Sequence, residues 1–232
     1  MAAERRRSGR GNGAGATAAA RPARIYDRLK DAIITGTLRP LERITENKVA
    51  ADFGLSRTPV REAFKRLEAE GLIQVVPKRG SFVSRPTVED ILEIYQIRTP
   101  LEGTCARVGA LRIEEDQLAL LDRLVRAEQA RGPGRSPERS LRAAAQFHAV
   151  IYACSRNQRM ATLLMDLQNQ VHRVRVLWPS TVARLNDTWD EHAQILAALR
   201  ARDADEAERL MIEHMERARQ TTLNRILPTA GF

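Results

Sequence analysis

A chain of 232 residues has room for one large domain or two small ones. It holds no run of about 18 apolar residues, so no membrane span is expected, and its two cysteines, Cys105 and Cys154, lie far apart without metal-type spacing, which fits a reduced cytoplasmic setting. The net charge of +9 lies wholly in the first third: residues 1–86 carry 18 Lys plus Arg against 9 Asp plus Glu, and the remainder is neutral. A basic module joined to a neutral one is the footprint of a nucleic-acid binder, with a merely solvated basic surface as the plain alternative.

Residues 1–21 are mostly Ala, Gly, Arg and Ser, and cannot bury enough surface to fold. A disordered basic tail is expected there, with Arg5, Arg6, Arg7 and Arg10 able to add non-specific DNA affinity; it lacks the apolar stretch of a secretory signal. Residues 22–86 read as a compact unit. Ile25, Leu29, Ala32 and Ile33 predict a helix over about 25–35, stopped by Gly36. Thr45 caps a second helix whose Val49, Ala50 and Phe53 face inward, and Gly54 supplies a positive-φ turn. Ser56 or Thr58 caps a third, with Pro59 in its first turn, where no backbone donor is needed. Its inner stripe is Val60, Ala63, Phe64 and Leu67. A strand over 72–76, a turn over 77–80 and a return strand over 81–83 follow.

From Thr87 onward the periodicity is helical throughout, with helices expected at about 88–111, 114–131, 137–154, 158–178, 182–200 and 204–225. Gly132-Pro133-Gly134 separates the second from the third, and Asp203 with Glu206 resembles a capping pair. The expected fold is therefore mainly α: an N-terminal winged helix-turn-helix of three helices plus a small β-wing over 22–86, then an all-α helical bundle over 87–232.

In a winged helix-turn-helix the third helix enters the major groove with its N-terminal residues leading. Arg57 and Arg61, four apart, share one face there, and a guanidinium fork pairs with guanine O6 and N7 or with phosphate. Ser56, Thr58 and Pro59 sit at the same end, and Asn47 lies on the second helix. The wing turn places Lys78, Arg79 and Gly80 to reach phosphates or a narrow minor groove. A winged helix that binds protein instead of DNA is the bland reading, and this cluster of exposed cations weighs against it.

The residues Gly36-Thr37-Leu38-Arg39-Pro40, Glu46, Ser56-Arg57-Thr58-Pro59-Val60-Arg61-Glu62-Ala63, Leu67-Glu68-Ala69-Glu70-Gly71-Leu72 and Pro77-Lys78-Arg79-Gly80-Ser81-Phe82-Val83 resemble the GntR family of bacterial regulators across 22–86. That resemblance implies binding to double-stranded operator DNA. Two departures stand out. The family usually has Pro-Gly where this chain has Pro40-Leu41, and often an arginine where it has Asn47, whose reach is shorter.

In the second half, His148, His192 and His214 each fall on the apolar stripe of a different helix. One inward histidine is usually a satisfied core residue; three from three helices can converge as neutral ligands for Zn or Ni. Arg98 falls on the stripe Ile91, Ile94, Tyr95, Leu101, Cys105, and a charge facing a core needs an anion: an acidic side chain, or a small carboxylate ligand. His172 and Arg175 lie on a helix expected to line the same cavity, with solvent exposure of His172 as the alternative.

Ile97-Arg98-x-x-Leu101-Glu102, Phe147-His148, His192-x-x-Ile195-x-x-Ala198-Leu199 and His214 resemble the FCD effector domain of the FadR-type branch. The resemblance implies a homodimer, a small carboxylate effector, and a divalent metal held by three histidines and an aspartate one helical turn before the first. Here that aspartate is Ala144 and Gln146 lies on the wrong face, so three histidines would hold the ion with weaker affinity, water or ligand completing the shell. Pro100 also departs from the pattern and should kink its helix. The reading is a ligand-responsive repressor of an organic-acid catabolic operon, not an enzyme: no general base stands beside the histidines, and a DNA-reading head has no evident use in hydrolysis. A sensor whose signal is the metal itself is the third class considered.

Overall fold

The computed structural model describes residues 20–132, 136–177 and 181–227. The expected basic tail lies outside them except for Ala20 and Arg21, which open the first helix, and Pro133 and Gly134 of the expected helix break lie outside them too. The chain divides into two compact units between Arg85 and Pro86.

The first unit runs α1 (Ala20–Ile34), β1 (Arg43–Ile44), α2 (Glu46–Phe53), α3 (Arg57–Ala69), β2 (Ile73–Val76) and β3 (Gly80–Val83). Ile25, Leu29, Ile33, Val49, Val60, Phe64 and Leu67 bury the inner stripes of the three helices in one core, closed by Ile44, Leu72, Ile73 and Val83. Thr45 caps α2 by accepting from Lys48 N at 3.2 Å. Gly54 ends α2 at φ 63°, the left-handed conformation that glycine adopts without a Cβ penalty. Ser56 is the N-cap residue of α3, although its hydroxyl makes no capping hydrogen bond, and Thr58 lies inside the first turn.

The sheet is antiparallel in the order β1-β3-β2, with Arg43 opposite Phe82 and Val76 opposite Gly80. β1 has only two residues and is absent from the sequence reading, because so short a segment has no alternation to detect. At the wing tip Lys78 has φ 64° and Gly80 φ 106°. The φ of Gly80 favours glycine there, while a Cβ would stand 3.1 Å from Arg43 Nε, the end of a flexible side chain.

The second unit contains, among the described residues, only helices: α4 (Val88–Arg112), α5 (Glu115–Gln129), α6 (Pro137–Cys154), α7 (Gln158–Leu177), α8 (Val182–Arg200) and α9 (Ala204–Ile226). Thr87 and Asp90 form a reciprocal capping box at the start of α4. Asp203 caps α9 by accepting from Glu206 N at 3.1 Å. Pro100 does not end α4 and sits on its exposed side. No helix among the described residues is long and apolar enough to cross a membrane.

α4 lies along α9 closely enough that a Cβ on Gly103 would stand 2.8 Å from Ile212 Cγ1. Gly103→Leu is therefore expected to lower stability by about 1–3 kcal/mol through overpacking, read as a shift of the denaturant midpoint. An unchanged midpoint would show that Ile212 moves aside freely.

Candidate functional site

Two sites carry the chemistry, one in each unit. In the first, Asn47, Ser56, Arg57, Thr58, Arg61, Lys78 and Arg79 are exposed, with Pro59 and Gly80 half-buried. The N-terminal end of α3 thus presents its cations away from the core stripe of the same helix. Arg61 contacts Glu46 of α2 through Nε and Nη2, each at 3.4 Å, and stays 60% exposed. So long a contact at the surface holds the guanidinium loosely and leaves it able to exchange its partner for DNA. Behind this face α1 is fastened to α3: Lys30 pairs with Glu70 at 2.9 Å, and Arg66 lies over the Tyr26 ring at 3.8 Å from its centroid.

In the second unit His148 of α6, His192 of α8 and His214 of α9 meet in the bundle interior. A ligand nitrogen from each lies within 4.8 Å of the others, and all three side chains are buried. His192 stacks on Phe147 at 4.2 Å between ring centroids and takes the Trp189 edge at 4.8 Å. Trp189 is itself held by donating to Ser140 Oγ at 2.7 Å. Burial holds His192 well below the usual histidine range, with the neighbouring His214 and His148 adding to the effect. Burial also lowers His214 to about 4, against the opposing pull of its bond to Glu191. Both rings are thus neutral at neutral pH, the state a metal ligand requires.

Two glutamates back the histidines. Glu191 Oε2 lies 2.6 Å from His214 Nδ1, and Glu102 Oε2 lies 2.6 Å from His148 Nδ1, although this second contact is not in line for a hydrogen bond. Burial would raise both carboxyls, but Arg98 beside Glu102, and His214 with Arg184 beside Glu191, hold them well below the ordinary carboxylate range. Arg98 faces the core as its stripe requires, and its anion is Glu102, reached through Nε at 2.9 Å and Nη2 at 2.5 Å. The acidic side chain, one of the two partners open to Arg98 in the sequence, stands beside it.

Beside His214 opens a small cavity of about 30 Å³, part of it open to solvent. Arg175, Arg184 and Arg225 bring three cations to its wall, with Ser140, Thr188 and Thr222 as neutral polar groups and Ala144 among the apolar ones. Arg175 also donates to Tyr95 Oη at 3.3 Å, and Arg184 grips Glu191 with both Nη atoms at 2.9 and 3.2 Å. Burial lowers the Arg225 pKa, and repulsion from Arg175 and Arg184 lowers it further, a sign of crowded positive charge. Of the expected ligand set, Arg175 and His214 line this cavity, while Arg98, His148, His172 and His192 do not. His172 is half-buried, and burial lowers its pKa. The sequence reading missed Arg184, Arg225, Glu191 and any role for Glu102. Only Glu102 had a local signal, its position four residues after Arg98 on one helix face.

Residues 22–83 match the family model described as bacterial regulatory proteins, gntR family, and residues 93–217 match the FCD domain. The chain belongs to the GntR family. Among its relatives, the uncharacterized HTH-type transcriptional regulator YdhC of Bacillus subtilis is 30% identical over 191 residues, covering 82% of this chain and 85% of that one. The HTH-type transcriptional repressor RspR of Escherichia coli is 29% identical over 192 residues, covering 83% and 84%. Among solved structures, a putative GntR transcriptional regulator from Rhodococcus sp. RHA1 is 29% identical, with a TM-score of 0.72 over 88% of this chain and 98% of that one. Escherichia coli McbR/YncC, at 23% identity and TM-score 0.74, shares the fold. This GntR-family chain is a DNA-binding, ligand-responsive transcriptional regulator and not an enzyme: its first unit is the family's reading head and its second the FCD effector domain.

Proposed function

We propose that this GntR-family regulator is a homodimeric repressor of an organic-acid catabolic operon, and that His148, His192 and His214 hold a divalent ion, zinc or nickel. The observation that carries the metal reading is His192, buried with neither ring nitrogen hydrogen-bonded, beside two further buried histidines. A buried imidazole without partners is costly unless something meets its lone pair, here a cation shared with the neighbouring histidines. Nitrogen donors of this kind suit Zn and Ni. When bound, the ion supplies a Lewis-acid contact for a carboxylate. The effector is a small carboxylate entering the cavity against Arg175, with Arg184 and Arg225 adding positive potential. Its binding would shift the helical domain between two states and so change the spacing of two reading heads. Asn47, Ser56, Arg57, Thr58, Pro59, Arg61, Lys78, Arg79 and Gly80 form the DNA-contacting set in this reading.

Elemental analysis of the untagged protein and of His148→Ala tests the metal reading. About one zinc or nickel per chain is expected in the parent and little in the variant, since three protein ligands are the fewest that ordinarily hold such an ion. No metal in either would retire the centre and leave a metal-free cavity for the effector.

A further inference from the structure

Arg98, Glu102 and His148 form a buried line that neither the reading head nor the effector cavity uses. The three side chains are 3%, 0% and 4% exposed. Arg98 donates twice to Glu102 Oε1, which leaves Oε2 as the oxygen turned to His148 Nδ1 at 2.6 Å. Neither atom makes an in-line hydrogen bond, so the pair is a close approach of ring nitrogen and carboxylate oxygen, with the Tyr152 hydroxyl also beside Glu102. An ionised carboxylate can only accept, so a ring nitrogen this close to it must carry the proton. The proton on Nδ1 leaves the lone pair on Nε2. At His214 the corresponding carboxylate is Glu191, whose Oε2 and Nδ1 form a hydrogen bond at 2.6 Å. His192 has no carboxylate and is oriented by its stacking on Phe147.

We propose that Glu102, anchored by Arg98, is a positioning residue for the histidine centre: it fixes His148 in the Nδ1–H tautomer and so makes Nε2 its metal donor. This rests on the metal reading above. Stability alone does not account for the pair, because a buried ion pair can often be replaced by apolar residues of similar volume without loss. A carboxylate behind a ligating histidine sets the ring's tautomer and strengthens its donor nitrogen.

Glu102→Gln tests the inference sharply. Arg98 demands an oxygen acceptor, so the new amide must turn its oxygen to Arg98 and its NH2 to His148. Nδ1 then has to accept, the proton moves to Nε2, and the metal donor is blocked. The full chain would be titrated with Zn²⁺ against a chromophoric chelator, and the tautomer of His148 read from long-range ¹H–¹⁵N spectra of metal-free protein. The parent is expected to show Nδ1–H and the variant Nε2–H, with zinc affinity lower by about 10- to 100-fold. If Glu102→Gln does not fold, Arg98→Met/Glu102→Leu removes the pair as a unit and should show a similar loss. A folded variant that binds zinc as the parent does, or a parent with the proton on Nε2, overturns the inference. A parent that takes up no zinc fails the metal reading itself, a result distinct from equal binding by parent and variant.

Discussion

Arg98→Met is expected to destabilise the metal-free FCD domain by about 3–5 kcal/mol, the usual cost of stripping one partner from a buried ion pair. Its side chain is 3% exposed and Glu102 is fully buried, so no solvent reaches the carboxylate once the guanidinium is gone. The other cationic candidate at hand is His148, which would need to take up a proton in the bundle interior to serve. The loss should not be read as the worth of the pair, because most of it is the penalty of one charge left alone. Arg98→Met/Glu102→Leu checks that account: removing both charges should recover most of the stability while zinc affinity stays low. Denaturant unfolding in the presence of chelator, compared across the single and double variants, decides the point. A single variant as stable as the parent would mean that Glu102 finds solvent or a proton at little cost.

Arg57→Ala and Arg61→Ala are each expected to weaken operator binding by about 1–3 kcal/mol if each makes a bidentate base contact, and by about 2–6 kcal/mol together if the contacts are independent. Both side chains are exposed at the leading end of α3, and only Arg61 has an acidic neighbour near it in the structure, Glu46 at 3.4 Å. Affinities would be measured at one fixed salt concentration on a duplex selected from random sequence, and on a scrambled duplex. Loss confined to the selected duplex marks base reading; equal loss on both marks phosphate contact. Unchanged affinity on the selected duplex removes the residue from the reading set. Lys78→Ala in the wing provides the comparison, with a smaller and sequence-independent loss expected for a phosphate contact.

The helices were legible because their evidence is local. An apolar residue every three or four positions, as in Val60, Ala63, Phe64 and Leu67, both identifies α3 and names the face it buries, and all four are in the core. Capping residues behave the same way: Thr45 and Asp203 need only the amide three residues on. The inward histidines also follow from period alone, since three helices with one histidine each on the apolar stripe have one bundle interior to share. β1 did not follow, because two residues become a strand only by pairing with β3, nearly forty positions later.

The sequence by itself determined the two-part architecture, the cationic end of α3 and the burial of three histidines, all of them consequences of spacing within single elements. Tertiary structure decided the partners. Glu102 follows Arg98 by one turn of α4, but its approach to His148 of α6 exists only once the two helices pack. The cavity wall joins Arg175, Arg184 and Arg225 from three helices, and no periodicity links residues on different helices. The carboxylates beside His148 and His214, from Glu102 and Glu191, likewise reach those rings only after the helices have packed.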